Sequence, residues 1–414
     1  MNTVAWRKVQ IKDIGRVVTG RTPPTAVASY FGNDLPFITP SDMDGRRTIT
    51  ETERYVSAEG AKFLASAVVP PKSVAVSCIG WQMGKVILTG ITCVTNQQIN
   101  TIIPDYNVVP EFLYYSLSTR RDELKTLASV GTRTPILIKS SFEKVTLDLP
   151  PLPTQRKIAT ILSVYDDLIE NNTRRIKILE EMAQALYREW FVRFRFPGHE
   201  GVRLVETELG LVPEGWEVVS LRDVTSYINR GVSPKYNDRA TGLVINQKCI
   251  RDGRLNMEAA RRHNTKVPSE KVVRFGDVLI NSTGIGTLGR VAQVYEELSD
   301  TTVDSHVSIV RASERASWDY FGFALLALQP HFDSLGVGST GQTELGRERI
   351  AGTTFLLPNK ALQDKFGEVV SPMRRNVVTT FARNTILRRT RDLLLPKLIS
   401  GEIDVATDAL EAAL

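Results

Sequence analysis

The segment LPPLPTQRKIATIL, residues 149–162, decides the fold because the chain repeats its features in its second half. The segment LLPNKALQDKFGEVV, residues 356–370, also has a Leu-Pro dipeptide, then a glutamine, then a helical pattern. Gln155 and Gln363 lie 208 residues apart, and the dipeptides Leu149-Pro150 and Leu357-Pro358 keep the same offset. Because the chain has 414 residues, this offset is close to half its length. The sequence therefore predicts an internal duplication, with one copy in each half.

Other short segments match in the same order and at nearly the same offset. Each pair shares aliphatic, glycine or aromatic positions, which is the signature of one supersecondary unit used twice. The matched segments are residues 6–14 with 216–224, 44–46 with 252–254, 68–80 with 272–284, 84–86 with 289–291, 111–119 with 319–327, and the Gly/Thr-rich loops that begin at residues 131 and 338. Each half is therefore predicted to be a strand-rich globule followed by one long helix.

Heptad positions follow each repeated glutamine in alternating steps of four and three, the spacing of a coiled coil. The positions in the first half are Ile158, Leu162, Tyr165, Ile169, Asn172, Ile176, Leu179, Ala183, Leu186 and Trp190. The positions 208 residues later are Phe366, Val370, Met373, Val377, Thr380, Asn384, Leu387, Arg391, Leu394 and Leu398. Asn172 is the one polar member of the first set, and such a residue fixes helix register. The alternative interpretation is a surface helix packed within one domain.

Two globules that alternate with two heptad helices predict an α+β fold with internal duplication and pseudo-twofold symmetry. The two mixed α/β globules would be separated by two long antiparallel coiled-coil helices. The predicted divisions are residues 1–150 (first globule), 151–197 (first helix), 198–357 (second globule), 358–404 (second helix) and 405–414 (C-terminal tail). If the halves are equivalent, a fragment ending near Gly198 is predicted to pair with a copy of itself.

Bulk composition places the chain among globular proteins, with 42% hydrophobic and 24% charged residues. We expect no membrane span, because no window approaches the roughly 18 consecutive apolar residues that one needs. Cys78, Cys93 and Cys249 are an odd number of cysteines with no C-x-x-C motif, so we expect a reducing, cytoplasmic location. The formal net charge of +6 is compatible with an acidic partner such as DNA but does not by itself identify one.

Four quoted segments give the chain a resemblance to a known family. They are LPPLPTQRKIATIL with its heptads, REWFVRFRFPG at residues 188–198, ELGLVPEGWEVVSLRDV at 208–224 and LLLPKLISGEI at 393–403. In these the chain resembles the specificity subunits of type I restriction–modification systems, the HsdS family. The resemblance covers nearly the whole chain. The chain departs from the family pattern at two places. The second Leu-Pro element lacks the double proline of the first, and NRGVSPKY (229–236) is a looser version of the loop TGRTPPT (19–25).

The resemblance implies a division of labour. Residues 1–150 and 198–357 would be target recognition domains, each reading one half of a bipartite, asymmetric sequence in double-stranded DNA. The helical regions would dock two adenine-N6 methyltransferase subunits and, in many members, two restriction subunits. This chain would be non-catalytic and hold no cofactor. S-adenosylmethionine would belong to the methyltransferase subunits, and ATP with magnesium to any restriction subunits.

The sequence lacks motifs for adenine methylation, dinucleotide binding and metal binding, which agrees with the expectation of a non-catalytic chain. An adenine methyltransferase needs an Asn/Asp-Pro-Pro-aromatic loop, and none of the Pro-Pro pairs here follows Asn or Asp. The segment GIGTLG at 284–289 has dinucleotide-binding spacing, but the strand-like RVAQVYEE follows it where a helix is required. We therefore predict a glycine-rich turn there. The four histidines have no metal-ligand spacing, so no metal site is expected.

Candidate DNA contacts are polar side chains in loops at matched repeat positions. Guanidinium and amide groups pair with base edges, while hydroxyl and ammonium groups reach phosphates. The candidates are Arg21, Thr22, Trp81, Gln82, Lys85, Asn96, Gln97, Arg133 and Thr134 in the first half, and Arg230, Lys235, Asn281, Arg290, Ser305, His306 and Gln342 in the second. The alternative for each is a turn residue or a solvated charge. The alternative for the whole chain is a duplicated coiled-coil scaffold that binds only protein.

Overall fold

The computed structural model describes residues 6–128, 134–284, 286–336 and 344–405. The strands of the first half are β1 (Arg7–Gln10), β2 (Gly15–Thr19), β3 (Phe31–Ile38), β4 (Thr48–Ile49), β5 (Tyr55–Val56), β6 (Val68–Val69), β7 (Val74–Ser77), β8 (Val86–Thr89), β9 (Cys93–Thr95), β10 (Ile99–Pro104) and β11 (Thr146–Leu149). Its helices are α1 (Ala58–Phe63), α2 (Pro110–Ser118), α3 (Arg121–Thr126), α4 (Lys139–Phe142) and α5 (Leu152–Tyr187). A π-helical segment, Arg188–Val192, extends α5.

The second half has the same alternation of short strands and helices before a long helix. Its strands are β12 (Leu204–Thr207), β13 (Gly210–Pro213), β14 (Glu217–Ser220), β15 (Thr225–Arg230), β16 (Gly242–Ile245), β17 (Ile250–Arg251), β18 (Arg254–Leu255), β19 (Arg261–His263), β20 (Val278–Asn281), β21 (Val291–Gln293), β22 (Thr301–Val303), β23 (Val307–Ala312) and β24 (Thr354–Leu357). Its helices are α6 (Leu221–Val224), α7 (Trp318–Ala327), α8 (Gln329–Ser334), α9 (Arg347–Ala351) and α10 (Lys360–Ile399). In the part of the chain that is described, no helix is long and apolar enough to cross a membrane.

The chain divides into two compact units, and each long helix contributes to both. Unit 1 comprises Met1–Thr173 with Arg383–Leu414, and unit 2 comprises Arg174–Ala382. Each unit thus contains one globule, a segment of α5 and a segment of α10. The divisions predicted from the sequence separate globules from helices instead, and they remain a prediction.

The two units contain sheets of the same design. In unit 1 the strand order is β2-β10-β7-β8-β4, and in unit 2 it is β15-β23-β20-β21. A second sheet follows the same rule, because β3 pairs parallel to β9 in unit 1 and β16 pairs parallel to β22 in unit 2. The strand before each long helix closes the globule by pairing with an early strand, β1 with β11 and β14 with β24. The predicted duplication is therefore present in the strand pairing.

The repeated glutamine explains where each long helix begins. In unit 1, Gln155 Nε2 donates to Pro150 O at 2.9 Å, and Gln155 Oε1 accepts from Val109 N at 2.9 Å. Gln363 repeats the arrangement in unit 2, bonding Pro358 O at 2.7 Å and Ser317 N at 2.8 Å. Each hydrogen-bond partner of Gln363 lies 208 residues after the corresponding partner of Gln155. Each fully buried glutamine therefore joins the first turn of a long helix to the start of an apolar helix, α2 or α7.

The heptad positions form the buried sides of α5 and α10. Ile158, Leu162, Ile169, Ile176, Val370 and Val377 are buried, and Asn172, Leu179, Leu186, Leu387 and Leu394 are half-buried. In unit 1 the two helices run antiparallel, since Asn172 bonds Asn384 and Asp166 bonds Arg391. The predicted fold class, mixed α/β halves with long heptad helices, is confirmed.

Candidate nucleic-acid interface

In unit 1, strand pairing brings three loops to one edge of the main sheet. Thr19 at the end of β2 pairs with Asn100 at the start of β10, and Ser77 at the end of β7 pairs with Ile99. Strand β8 begins at this edge too, because Val86 pairs with Val76. The loops at residues 20–22, 78–85 and 96–98 therefore meet, together with residues 134–137. We call this set loop edge 1.

Backbone hydrogen bonds join these loops to one another. Arg21 N donates to Thr95 O at 2.8 Å, and Cys78 N donates to Gln98 O at 2.7 Å. Leu137 N donates to Cys78 O at 2.8 Å, which brings in the fourth segment. A Cβ atom on Gly20 would lie 2.1 Å from the carbonyl oxygen of Asn96, so only glycine fits this close approach.

The loop between β7 and β8 presents the most exposed candidates of loop edge 1. Trp81 is 86% exposed, although its large apolar ring would ordinarily be buried. Beside it, Lys85 Nζ donates to Gln82 Oε1 at 2.8 Å, which holds both side chains in the same loop. Thr134 is exposed, and its methyl group lies 4.0 Å from where a Cβ on Gly80 would be. Ring, ammonium and hydroxyl groups are thus grouped at one surface.

The other candidates of loop edge 1 lie in the loop that follows β2 and in the loop that precedes β10. Thr22 Oγ1 donates to Gln97 Oε1, and Gln97 is exposed. The Arg21 guanidinium lies 5.6 Å from the ring centroid of Phe63, within cation–π range. Asn96 is buried, and its Oδ1 accepts from Gln98 N at 2.9 Å. Asn96 therefore shapes the turn that presents Gln97.

Unit 2 repeats the backbone framework as loop edge 2, formed by residues 231–236, 282–284, 286–290, 304–306 and 344–345. Val232 N donates to Val303 O at 2.9 Å, and Ser282 N donates to His306 O at 2.8 Å. Leu345 N donates to Ser282 O at 2.8 Å. Each of these bonds is the counterpart of one in loop edge 1. The counterpart of Gly20 is Gly231, where a Cβ would lie 1.8 Å from Val303 O.

The side chains of loop edge 2 differ from those of loop edge 1. Arg230 forms an ion pair with Glu344, Nη1 to Oε1 at 2.6 Å. Arg290 is the counterpart of Lys85, and its Nη2 donates to Gly286 O at 2.8 Å. His306 is exposed, with Nδ1 2.7 Å from the Thr283 hydroxyl. Loop edge 2 therefore has a guanidinium, Arg290, where loop edge 1 has the Lys85 ammonium, and an imidazole, His306, where loop edge 1 has the Gln98 amide.

The remaining predicted residues of the second half have mixed surroundings. Lys235 is exposed and Ser305 is half-buried beside His306. Asn281 is fully buried, and its Nδ2 donates to Gln247 O at 3.2 Å, so its side chain supports the loop from inside. Arg133 and Gln342 lie outside the described residues.

One cationic surface was missed by sequence reasoning. The Arg261 guanidinium lies 3.5 Å from the ring centroid of Tyr236, which is 44% exposed. Tyr236 also pairs with His263 of β19, so the loop after β15 lies along that strand. Arg261, Arg262 and Lys266 are all exposed. The signal available in the sequence was an aromatic residue directly after Lys235.

Three kinds of reactive or cofactor-binding feature can be located within the described ranges: possible metal ligands, the cysteine thiols and the GIGTLG segment. No three His, Cys, Asp or Glu side chains there are grouped to hold a metal ion. The cysteines are buried, and burial raises the pKa of the Cys78 thiol to about 11 and that of Cys93 to about 12. The GIGTLG segment leads into strand β21, so it is not followed by the helix that a dinucleotide site needs.

The long helices also expose apolar side chains. In unit 1, Val164, Leu168, Ile386 and Leu393 are 45–65% exposed. In unit 2, Ile178 and Met182 are 55% and 50% exposed. Apolar side chains repeated along an exposed helix are typical of a surface that another protein covers.

The sequence is similar to a family model and to several known proteins. Residues 3–181 match the family model described as type I restriction modification DNA specificity domain. The chain is 29% identical over 415 aligned residues to the type I restriction enzyme MjaIX specificity subunit of Methanocaldococcus jannaschii, covering 97% of this chain and 94% of that protein. It is 35% identical over 181 residues to the HindI specificity subunit of Haemophilus influenzae, covering 42% of this chain and 39% of that protein.

A solved structure shows the same fold. The type I restriction–modification S subunit from M. genitalium superposes with a TM-score of 0.65 at 16% identity, covering 96% of this chain and 97% of that one. The fold and the sequence relatives thus point to the same class of protein. Over nearly its whole length the chain is similar to a type I restriction–modification specificity subunit, and residues 3–181 match the DNA specificity domain of such proteins.

Proposed function

We propose that this chain reads a bipartite, asymmetric DNA sequence, with loop edge 1 reading one half-site and loop edge 2 reading the other. The observation that carries the proposal is that both units gather loops at the same sheet edge through equivalent backbone bonds, yet present different side chains. An equivalent framework delivers each set to DNA in the same way. Different side chains then select different bases, so the two half-sites differ.

The contacts that we assign follow the exposure of the side chains. Trp81, Gln82, Lys85 and Gln97 would reach DNA from loop edge 1. Lys235, Arg290 and His306 would reach it from loop edge 2, with Tyr236 and Arg261 beside them. Arginine pairs with guanine and glutamine with adenine in the major groove, while lysine neutralises phosphate. Asn96 and Asn281 position these loops from inside and are not assigned a DNA contact.

The exposed apolar positions on α5 and α10 are proposed to dock two adenine-N6 methyltransferase subunits, and restriction subunits where the system contains them. Leu168 and Leu393 in unit 1 and Ile178 in unit 2 are solvent-facing in the free chain. Burial of such side chains favours association by about 25 cal/mol per Å² of apolar surface. The partners would supply S-adenosylmethionine, ATP and magnesium, and the complex would act on DNA in the cytoplasm.

The test compares Lys85→Ala with Arg290→Ala, because these residues occupy equivalent positions. With methyltransferase subunits present, Arg290→Ala is expected to relax sequence choice in one half-site only, by about 1–3 kcal/mol, whereas Lys85→Ala is expected to remove a phosphate contact. A phosphate contact would instead lower affinity uniformly and reduce the salt dependence by about one charge. Genome-wide mapping of methylated adenines measures the first, and titration of duplex DNA at several salt concentrations measures the second.

Arg203→Ala is the control, because this exposed arginine directly precedes β12, is part of neither loop edge, and pairs with Glu214. It should change neither readout. The competing function, a scaffold that binds only protein, predicts no affinity of the wild-type chain for duplex DNA at any salt concentration. That result would overturn the proposal.

A further inference from the structure

The seam between α5 and α10 contains polar residues that the repeat does not conserve. Applying the offset of 208, the counterpart of Asp166 is Arg374, and the counterpart of Asn172 is Thr380. In the other direction, the counterpart of Asn384 is Ile176, and the counterpart of Arg391 is Ala183. The two helices are therefore equivalent in their apolar positions and different in their polar ones.

In unit 1 these polar residues bond to one another across the helix pair. Asn172 Nδ2 donates to Asn384 Oδ1 at 2.9 Å. Asn384, only 2% exposed, also donates through Nδ2 to Ile169 O and to Thr173 Oγ1, each at 3.3 Å. Both amides therefore have partners in the seam.

The ion pair between Asp166 and Arg391 lies further along the same seam. Arg391 Nη1 donates to one oxygen of the Asp166 carboxylate, and the Tyr115 hydroxyl donates to the other at 2.6 Å. Burial alone would lower the pKa of Arg391, but the bond and charge of Asp166 outweigh it and raise that pKa. Removing either member of a buried pair leaves an uncompensated charge.

A second copy of the chain would not satisfy these groups if α5 paired with α5. Antiparallel pairing in the same register would place Asn172 opposite Ile176 and Asp166 opposite Ala183. Asn172 and Asp166 would then each lose their partner on the opposing helix. Buried amides and carboxylates without partners are costly, so this pairing is disfavoured.

Pairing of α10 with α10 fails for a different reason. The same register would place Asn384 opposite Thr380 and Arg391 opposite Arg374. Two guanidinium groups would then meet in a partly buried seam, and like charges at short distance repel. Only α5 with α10 matches amide to amide and carboxylate to guanidinium.

We propose that the polar residues of this seam make helix pairing heterotypic: α5 accepts α10 and excludes the α5 or α10 of a second copy. A single buried Asn is known to select coiled-coil partner and register at a cost in stability. Here that selection acts between the halves of one chain. It keeps two different recognition units in one molecule, and it argues against the prediction that a fragment ending near Gly198 forms a stable symmetric dimer.

The test uses two full-length copies with different affinity tags, co-expressed. Wild-type copies should stay monomeric, and capture of one tag should not recover the other. Asn172→Leu/Asn384→Leu makes the asparagine positions of homotypic seams apolar and leaves only the Asp166 and Arg391 positions against such pairing, so we expect co-capture and a dimer mass by light scattering. The midpoint of thermal unfolding should be no lower than that of wild type. The control is Asn171→Leu/Thr379→Leu, which adds the same side chains at exposed positions next to the seam.

A disulfide reports which helices pair. In the Asn384→Leu background, one copy carries Asn172→Cys and the other Ile176→Cys, and a covalent dimer should form only if α5 meets α5. The native cysteines are buried and do not compete. An independent variant, Arg391→Glu, breaks the pair with Asp166 and offers Arg374 of a second α10 a carboxylate, so it should also give co-capture.

Two results would overturn the proposal. One is that Asn172→Leu/Asn384→Leu and Arg391→Glu both remain monomeric. The other is that the double leucine variant fails to fold while its control folds, because that would make the asparagines a requirement of stability and not of partner choice.

Discussion

Loop edges 1 and 2 share a backbone framework and differ in nearly every side chain. Cys78 N to Gln98 O in one becomes Ser282 N to His306 O in the other, so the backbone bond is kept while a thiol becomes a hydroxyl and an amide becomes an imidazole. Every residue except proline supplies the same backbone donor and acceptor, so such bonds survive substitution. The comparison teaches that duplication preserved what holds the loops and left what the loops present free to change.

The long helices show a similar contrast: their first turns are alike in the two halves, whereas the polar residues of the seam between them differ. Gln155 and Gln363 bond backbone groups at equivalent positions, because the glutamine side chain is long enough for its amide to reach a carbonyl oxygen and an N–H at once. Asp166 and Arg374, also equivalent by position, carry opposite charges. Conserved glutamines make the halves alike, and divergent charges make them distinguishable.

Lengthening both helices should have the largest effect, because it changes the DNA target itself. Seven residues inserted after Thr173 and seven after Ala382 keep the heptad face and add about 10 Å to each helix. We expect the same two half-sites with a spacer longer by about three base pairs at roughly 3.4 Å each. Motif mapping by methylation measures the spacer.

Insertion in α5 alone is the matched comparison for that experiment. It would put the part of α5 after Thr173 out of step with α10 while Asn172 and Asp166 keep their partners, so it should lower stability without producing a new target. A wild-type spacer in the doubly lengthened protein would show that helix length does not set half-site separation.

The glutamine anchors should be equally important in both units. Gln155→Ala leaves the Val109 N–H and the Pro150 carbonyl buried without their partner, and Gln363→Ala does the same to Ser317 and Pro358. Each is expected to lower the free energy of unfolding by about 3 kcal/mol, measured by denaturant unfolding. Gln184→Ala, at an exposed position on α5, should cost less than about 0.5 kcal/mol. Unequal losses from the two anchors would contradict their equivalence.

Two exposed aromatic rings, one at each end of the main sheet of unit 1, test whether loss of DNA binding follows from position or from exposure alone. Trp81 lies on loop edge 1, whereas Tyr106, 98% exposed, follows the far end of β10. Trp81→Ala should weaken DNA binding by about 1–2 kcal/mol if the ring packs on DNA, without changing stability. Tyr106→Ala should change neither quantity. Equal losses of affinity, measured by fluorescence anisotropy, would remove loop edge 1 from the interface.

The smallest effect on stability is expected from Asp319, which is buried in unit 2. Its counterpart in unit 1, 208 residues earlier, is the half-exposed Glu111. Burial raises the pKa of Asp319, although bonds from Ser371 and Tyr295 and the charge of Arg374 oppose this. A raised pKa in the folded state contributes stability that is full below the unfolded value of about 3.9 and is lost as pH rises through the folded value.

Asp319→Asn should remove that pH-dependent contribution. The stability difference between pH 4 and pH 7 is expected to change by about 1 kcal/mol or less, as measured by thermal unfolding at both pH values. An unchanged pH profile would show that the carboxyl titrates alike in folded and unfolded chains.

Local patterns sufficed for several parts of this protein. The offset of 208, the two glutamines and the heptads predicted the duplication and both long helices, because these depend on residues close in sequence. Turn residues around the strands likewise indicated which loops carry Trp81, Lys85 and Arg290. The strand after GIGTLG was also evident, since its alternating residues directly follow the glycines.

Only the tertiary structure decided which of those residues face outward and which partners they have. Asn96 and Asn281 read as loop amides, but strand register places them inside, where they hold turns. Tyr236 meets Arg261, and Asn172 meets Asn384, across separations that no local pattern encodes. The physical reason is that burial and pairing depend on register between distant segments, and a shift of one residue in a strand reverses which side chains face the core.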